Sequence, residues 1–143
     1  MENKTQHLHV YIASPYTIGD VAVNVHTSFQ AASYLRTLGA LPFAPLRSHF
    51  EHMAFPQHYE QWMLEDFEYI RMSHALWRLN GISPGADREV KFADSLNIPV
   101  FYYTKPRITE WINSQLLSGQ FTPIYSCRVT LPISHIPKGG ETP

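Results

Sequence analysis

The chain has 143 residues, which is enough for one ordinary domain and too few for two of comfortable size. Apolar residues make up 44% of it, aromatic residues 13% and charged residues 16%, a composition that excludes disorder through most of the chain. The net charge of −1 comes without a basic run, which argues against a polynucleotide partner.

The start of the chain and its cysteine content predict where the protein works. The polar start MENKTQHLHV lacks the charged and apolar regions of a signal peptide, and no apolar run reaches membrane-spanning length. Cys127 is the lone cysteine, so an internal disulfide is excluded. We therefore expect a protein of a reducing compartment, most simply the cytoplasm, with no membrane attachment.

The chain alternates between strand-like and helix-like segments. Short runs rich in β-branched and aromatic residues predict strands, and apolar residues three or four apart predict helices. In chain order these are strand 8–13, helix 20–38, strand 40–45, helix 59–72, strand 74–79, helix 83–96, strand 98–103 and helix 106–117. Residues 46–57 predict a loop bounded by prolines.

Capping residues support two of the helices. Asp20 is a natural cap for the first, whose apolar stripe includes Phe29 and which is expected to end before Gly39. Ser83, followed by Pro84, is typical of the beginning of a helix. Both caps directly follow loops at the ends of predicted strands.

Such alternation predicts an α/β fold with a mostly parallel sheet of four to five strands and helices on both faces. Ligands bind to these sheets outside the carboxyl ends of the strands. The loops there are SPYTIGD (14–20), PLRSHF (45–50), NGISPG (80–85) and YTKP (103–106). We expect a domain at residues 1–118 and an irregular C-terminal tail at 119–143 with no assigned role, in which RVTLPI (128–133) is compatible with a strand.

Two acidic residues occupy the apolar sides of predicted helices. With about 100° of rotation per residue, Glu89 faces the sheet and Asp66 lies at the centre of the apolar side of the preceding helix. Burying a lone carboxylate costs on the order of several kcal/mol unless it is paired, hydrogen-bonded or protonated. Each acid therefore serves either structure, by accepting hydrogen bonds, or function.

The position of Glu89 favours function. It lies little more than one turn inside its helix, where the dipole and the amides around Ser83 and Gly85 favour a negative ligand group. A carboxylate at such a place can attack the anomeric carbon of a sugar through an oxocarbenium-like transition state.

Several motifs resemble the nucleoside 2-deoxyribosyltransferase-like family. They are YIASPYT (11–17), PFAPLRSH (42–49), the helix with Trp62 and Asp66, and SPGADREV (83–90) followed by IPVF (98–101). The resemblance covers residues 8 to 103 and implies a flavodoxin-like fold, a homodimer or higher homo-oligomer, and no metal or cofactor. It also implies cleavage of the N-glycosidic bond of a nucleoside or nucleoside 5′-monophosphate, with the sugar passing to water or to another base.

The resemblance further implies roles for individual residues. Glu89 would be the nucleophile that forms a glycosyl-enzyme ester, and Tyr11 would hydrogen-bond its carboxylate. Asp66 or His49 would protonate the departing base. The residues expected to hold the substrate are Ser14, Tyr16, Asp20, His49, Ser83, Gly85 and Arg88, with Arg47 as a further candidate for a phosphate and Tyr16 as the residue that stacks on the base.

One departure from the family pattern concerns the third strand. Relatives usually begin it with an aspartate, whereas this chain has His74. Because that aspartate often orders ribose or base contacts, the histidine favours an altered substrate or a loss of activity.

Other constellations have weaker support. His49 and His52 have the HxxH spacing that a pair of metal ligands can take, but no HExxH helix or cysteine pair accompanies them, so a metal site has weak support. Cys127 and His135 could form a nucleophile and base, but they lie in the irregular tail and no oxyanion-type turn precedes the cysteine. Neither GxGxxG nor a P-loop is present, which argues against a dinucleotide dehydrogenase and a P-loop nucleotide site. The tryptophans are expected to be packing residues.

Three hypotheses remain from the sequence. The first is an N-glycosidase that hydrolyses its substrate in preference to transferring the sugar. The second is a binding module of the same fold, a sensor in which Glu89 hydrogen-bonds a ribose hydroxyl. The third is an oligomer-forming α/β domain with a degenerate pocket that binds no nucleoside or nucleotide.

Overall fold

The computed structural model describes residues 6–124. The strands are β1 His9–Ala13, β2 Leu41–Phe43, β3 Ala75–Arg78 and β4 Val100–Tyr102. The helices are α1 Val21–Thr37, α2 His49–Ala54, α3 Tyr59–Arg71, α4 Pro84–Ser95 and α5 Lys105–Leu117, and a short 3-10 helix at Pro45–Ser48 precedes α2.

The four strands form one parallel sheet in the order β2-β1-β3-β4. β1 is central and pairs with β2 on one side and β3 on the other, with Tyr11 opposite Phe43 and Leu76. The predicted α/β class is therefore confirmed, and the sheet and its helices are consistent with a flavodoxin-like fold.

Helices cover both faces of the sheet, and side chains of β1 point alternately to one face and to the other. Leu8, Val10 and Ile12 pack in one apolar cluster with residues of α1 and α5. Tyr11 and Ala13 point the other way, into a second cluster with residues of α3 and α4. All five side chains are fully buried.

The predicted caps are formed. Asp20 Oδ1 accepts a hydrogen bond from the backbone N–H of Val23 at the start of α1, at 3.1 Å. Ser83 Oγ does the same for the N–H of Ala86 at the start of α4, also at 3.1 Å. Each cap satisfies one of the amides that a helix leaves free in its first turn.

Two expectations about local structure are wrong. Residues 46–57 are not simply a loop, since the 3-10 helix and α2 occupy most of that segment. The stripe of α1 does not bury Phe29, which is 38% exposed, whereas the neighbouring Ser28 is buried and bonds the carbonyl of Val25. Small residues on this face let α1 lie close to the sheet.

Residues 119–124 return to the amino ends of the strands. The N–H of Thr122 donates to Gln6 O, and the N–H of Ile124 donates to Gly39 O. Cys127, His135 and the possible strand at 128–133 lie outside the described residues. Within residues 6–124, no helix is long and apolar enough to cross a membrane.

Candidate active site

A cavity of about 580 Å³ lies at the carboxyl ends of β1, β2 and β3. Its volume is in the range of small-molecule sites. Its lining residues are Ser14, Tyr16, Thr17, Ile18, Pro45, Leu46, Ser48, His49, His52, Gln57, Tyr59, Trp62, Met63, Asp66, Ile82, Ser83, Pro84, Gly85, Ala86 and Glu89.

Topology explains this position. From β1 the chain crosses to β2 on one side, and the next strand, β3, lies on the other side of β1. The loops after β1 and β3 therefore diverge and leave a crevice, as at the switch point of other open α/β sheets. The predicted loop YTKP, which follows β4, contributes nothing to the lining.

Glu89 reaches the cavity from the inner side of α4. It shares that side with Ala86, Val90 and Ala93, which are buried in the cluster beneath α3 and α4, and it is itself only 6% exposed. The hydroxyl of Tyr11, on β1, donates a hydrogen bond to Glu89 Oε1 at 2.9 Å. The predicted orientation of Glu89 toward the sheet is confirmed.

The surroundings of Glu89 act on its charge in opposite directions. Burial and the neighbouring Asp66 raise the pKa of Glu89 well above its ordinary value, while the Tyr11 hydroxyl and the charge of Arg78 lower it. Burial, followed by the charges of Glu89 and Asp66, raises the pKa of Tyr11 well above its ordinary value. Tyr11 therefore stays a neutral donor, and its hydrogen bond favours the ionised form of Glu89.

Asp66 lines the same cavity from α3. It is half-buried between Met63 and Ile70, the two buried residues of this helix. Burial, with a smaller contribution from Glu65, raises the pKa of Asp66 to about 7. Because two close carboxyls oppose each other's ionisation, the pair favours one charged and one protonated member near neutral pH.

The start of α4 forms the third wall. Ser83 is buried, and its side chain is engaged as the cap of the helix. Gly85 lies against Tyr59, since a Cβ at Gly85 would stand 2.8 Å from the Tyr59 hydroxyl. The glycine thus lets the backbone of α4 approach α3 closely beside the cavity.

Aromatic and imidazole side chains from the loop after β1, from α2 and from α3 form another part of the cavity lining. The hydroxyl of Tyr16 and Nδ1 of His49 are hydrogen-bonded at 2.7 Å. Trp62 Nε1 donates to His52 Nδ1 at 2.8 Å, which ties α2 to α3. Trp62, expected to be a packing residue, therefore also lines the cavity. Within residues 6–124, no group of three or more His, Cys, Asp or Glu is placed to hold a metal ion.

Four residues predicted from the sequence to be part of the site lie elsewhere, and one of them is Arg47, which is exposed and does not line the cavity. Asp20 is exposed and engaged as a cap. Arg88 makes a bidentate pair with Glu60, at 2.8 and 3.0 Å, and does not line the cavity. His74 precedes β3 at the opposite end of the sheet, where its Nδ1 accepts from the N–H of His9. His74 does not line the cavity within the described residues, so the structure shows no contact through which it would change the substrate, and its effect on substrate or activity stays a prediction.

Two features of the site were not predicted. Arg78 is 3% exposed, and its guanidinium binds the carbonyls of Leu79 and Gly81 and the carboxylate of Asp87, which clamps the loop between β3 and α4. Its signal was an arginine inside the apolar run HALWRL. The hydroxyl oxygen of Ser14 is buried and has no hydrogen-bond partner within residues 6–124, and only the assembled structure reveals this.

Comparison with known proteins covers the same region. Residues 8–103 match a family described as "Domain of unknown function (DUF7768)". These residues include the four strands and every residue of the cavity. No curated protein matches the chain.

Proposed function

The chain belongs to this domain family of unknown function, and we propose that it cleaves the N-glycosidic bond of a nucleoside or nucleoside 5′-monophosphate. One observation carries the proposal. The carboxyl group of Glu89 is buried, yet it borders a cavity of small-molecule size and is oriented by the Tyr11 hydroxyl. A group desolvated and positioned in this way suits nucleophilic attack on a bound sugar.

The reaction proceeds in two steps. A carboxylate oxygen of Glu89 bonds to the anomeric carbon while the carbon–nitrogen bond breaks and its electron pair leaves with the base. The protonated carboxyl of Asp66 gives its proton to that base. Water then attacks the anomeric carbon, releases Glu89 as carboxylate and returns a proton to Asp66. Water takes the sugar in preference to a second base.

The raised pKa of Asp66 supports its role as the acid, whereas burial of Glu89 opposes the ionised form that attack requires. Asp66, with a pKa of about 7, holds a proton to donate near neutral pH. Glu89 must be ionised to attack, and the Tyr11 hydrogen bond and the charge of Arg78 favour that form. His49 is the alternative proton donor, because it also lines the cavity.

The aromatic wall supports binding of a base. Tyr16, Tyr59 and Trp62 all line the cavity, and their rings offer faces on which a flat base stacks. Tyr16 is the preferred stacking residue, since its hydrogen bond to His49 orients its ring.

Replacement of Glu89 tests the proposal. We expect Glu89→Gln to lower the rate of base release by at least about 1000-fold, because the amide cannot form the ester, while the protein still folds and binds. Base release is measured by chromatography with a panel of nucleosides and nucleoside monophosphates. Glu110→Gln, the same change at an exposed position of α5, is the control. Equal turnover by Glu89→Gln and the parent would refute the role of Glu89.

A binding module of the same fold is the second candidate. The elevated pKa of Glu89 favours it, since a protonated Glu89 would donate a hydrogen bond to a ribose hydroxyl instead of attacking carbon. Tight binding of a nucleoside, a nucleoside monophosphate or NAD without any release of free base would select this function. A degenerate pocket predicts no thermal shift with any of these ligands.

We further propose that the protein is a cytoplasmic homo-oligomer, as the family resemblance and the lone cysteine imply. Its surface supports association, because Phe50, Met53 and Phe55 on and after α2 are 71%, 65% and 76% exposed. Clustered exposed apolar side chains of this kind are typical of interaction surfaces. Sedimentation analysis of the purified protein measures the assembly state, and a monomer at all concentrations would contradict the proposal.

A further inference from the structure

The charge of the cavity limits its ligands. Glu89 and Asp66 contribute two carboxyl groups to the lining, whereas no lysine or arginine within residues 6–124 lines the cavity. A phosphate bound here would lie near two acids, and the imidazoles of His49 and His52 are the lining groups within residues 6–124 that can take up a positive charge. Interactions between like charges are strong in a cavity from which water is largely displaced.

The neighbouring arginines are engaged elsewhere. The guanidinium of Arg78 is buried under the loop between β3 and α4 and is neutralised by Asp87. Arg88 is paired with both carboxylate oxygens of Glu60 on the outer side. Arg47 is exposed and does not line the cavity. Recruiting Arg78 or Arg88 for a phosphate would therefore break an existing ion pair.

The first turn of α4 offers little in compensation. Proline at position 84 has no N–H, the N–H of Ala86 is taken by Ser83 Oγ, and the N–H of Asp87 donates to Ser83 O. Gly85 remains as the amide of that turn without a hydrogen-bond partner within residues 6–124. Phosphate sites at helix starts instead use several converging amides.

A hydroxyl group fits these same atoms. The buried Ser14 oxygen lacks a partner within residues 6–124 and borders the cavity, so it needs a ligand atom with which to exchange a hydrogen bond. An alcohol oxygen can accept from the Gly85 N–H and exchange a hydrogen bond with the Ser14 hydroxyl without bringing a negative charge into the cavity.

From the two carboxyls and the absence of a lysine or arginine from the lining within residues 6–124, we infer that this site takes a nucleoside with a free 5′-hydroxyl and excludes the corresponding 5′-monophosphate. The inference rests on the proposed function for the identity of the ligand as a nucleoside. A bound phosphate would also oppose ionisation of Glu89, so the monophosphate is a poorer substrate as well as a weaker ligand.

Matched substrates test the inference. Each common nucleoside and its own 5′-monophosphate are assayed with the full-length protein for base release and, by calorimetry, for binding, using carbocyclic analogues that resist cleavage. We expect the nucleoside to exceed its monophosphate by at least about 30-fold in kcat/KM and in affinity. A monophosphate that equals or exceeds its nucleoside would overturn the inference.

The assays separate this inference from the proposed function. If a nucleoside binds and its monophosphate does not, but no base is released, then catalysis is wrong and the ligand preference stands. If base is released from the monophosphate at least as fast as from the nucleoside, then catalysis stands and the preference is wrong. Binding of neither form would overturn both.

Adding a cation to the cavity wall gives an independent test. Thr17 is exposed and lines the cavity, so Thr17→Arg should strengthen binding of the monophosphate by about tenfold, and this gain should shrink at high salt. Ser33→Arg adds the same charge at an exposed position of α1 outside the cavity and should leave both affinities unchanged. No gain from Thr17→Arg would show that the missing cation is not what excludes phosphate.

Discussion

At the scale of single residues, Glu89 and Asp66 depend on each other through one cavity. The charge of Asp66 is among the causes that raise the pKa of Glu89, after burial. A proton held by Asp66 therefore makes ionisation of Glu89 easier, and the two titrate as a coupled pair. In the proposed reaction this coupling produces the nucleophile and the acid together.

The pH dependence of stability should report the proton on Asp66. Burial raises its pKa from 3.8 to about 7, so between these values the folded protein holds a proton that the unfolded chain releases. Rising pH across this window therefore lowers the free energy of unfolding, and above about pH 7 the loss is complete. Relative to the parent, Asp66→Asn should gain on the order of a few kcal/mol between pH 4 and pH 8.

Urea unfolding at a series of pH values measures this difference. Asp94→Asn, at an exposed position on the outer side of α4, is the matched control and should follow the parent. Parallel curves for Asp66→Asn and the parent would mean that Asp66 is ionised in the folded protein across the whole window.

Removal of the Tyr11 hydroxyl should change the pH profile of catalysis. Its hydrogen bond lowers the pKa of Glu89, so Tyr11→Phe raises that pKa further and moves the acidic limb of base release to higher pH. The control is Tyr34→Phe, which removes a hydroxyl that bonds Thr109. An acidic limb that stays in place would exclude Tyr11 as the group that sets the charge of Glu89.

At the scale of elements, the loop between β3 and α4 positions the start of α4 beside the cavity. Gly81 has φ +119°, a conformation that side chains rarely adopt, and a Cβ there would stand 2.8 Å from Pro15 Cγ. Its carbonyl is also bound by the buried Arg78. This loop is therefore held in place by the backbone conformation of Gly81, by its contact with Pro15 and by the guanidinium of the buried Arg78.

Substitution of this glycine separates those contributions. Gly81→Ala should lower the free energy of unfolding by more than about 1 kcal/mol, since strain and the clash with Pro15 add. Gly119→Ala is the control, because Gly119 has φ +79° but nothing within 4 Å of a Cβ. Chemical unfolding measures both variants, and equal losses would show that the contact with Pro15 costs nothing.

At the scale of the whole molecule, the matched region is smaller than the packed core. Residues 8–103 contain the sheet and the cavity, yet α5 lies beyond them and packs Ile108 and Ile112, both fully buried, against β1 and α1. Burial of each isoleucine is worth about 1.5–3 kcal/mol, a large part of the 5–15 kcal/mol by which domains are typically stable. We therefore expect the fold to need α5.

Truncation tests this dependence. A chain that ends at Tyr103 should lose cooperative unfolding, because it exposes the apolar face that α5 covers, whereas a chain that ends at Ile124 keeps α5 and should unfold cooperatively. Thermal unfolding followed by circular dichroism distinguishes them. A cooperative transition in the shorter chain would show that α5 is dispensable.

The sequence alone determined the features that depend on local periodicity and capping. The repeat of 3.6 residues per turn predicts which way Glu89 and Asp66 point, the alternation of strands and helices predicts the parallel sheet, and Ser83 predicts the start of α4. These signals are readable because neighbouring residues on one element carry them.

Only the tertiary structure decided which of these elements meet. Three of the four candidate loops surround the cavity, Arg88 pairs with Glu60 from another helix, and His74 lies at the far end of the sheet. α2 escaped prediction because it has only six residues and none of them is buried. Its link to α3 through Trp62 and His52 depends, like the others, on packing between elements, which no local pattern in the chain records.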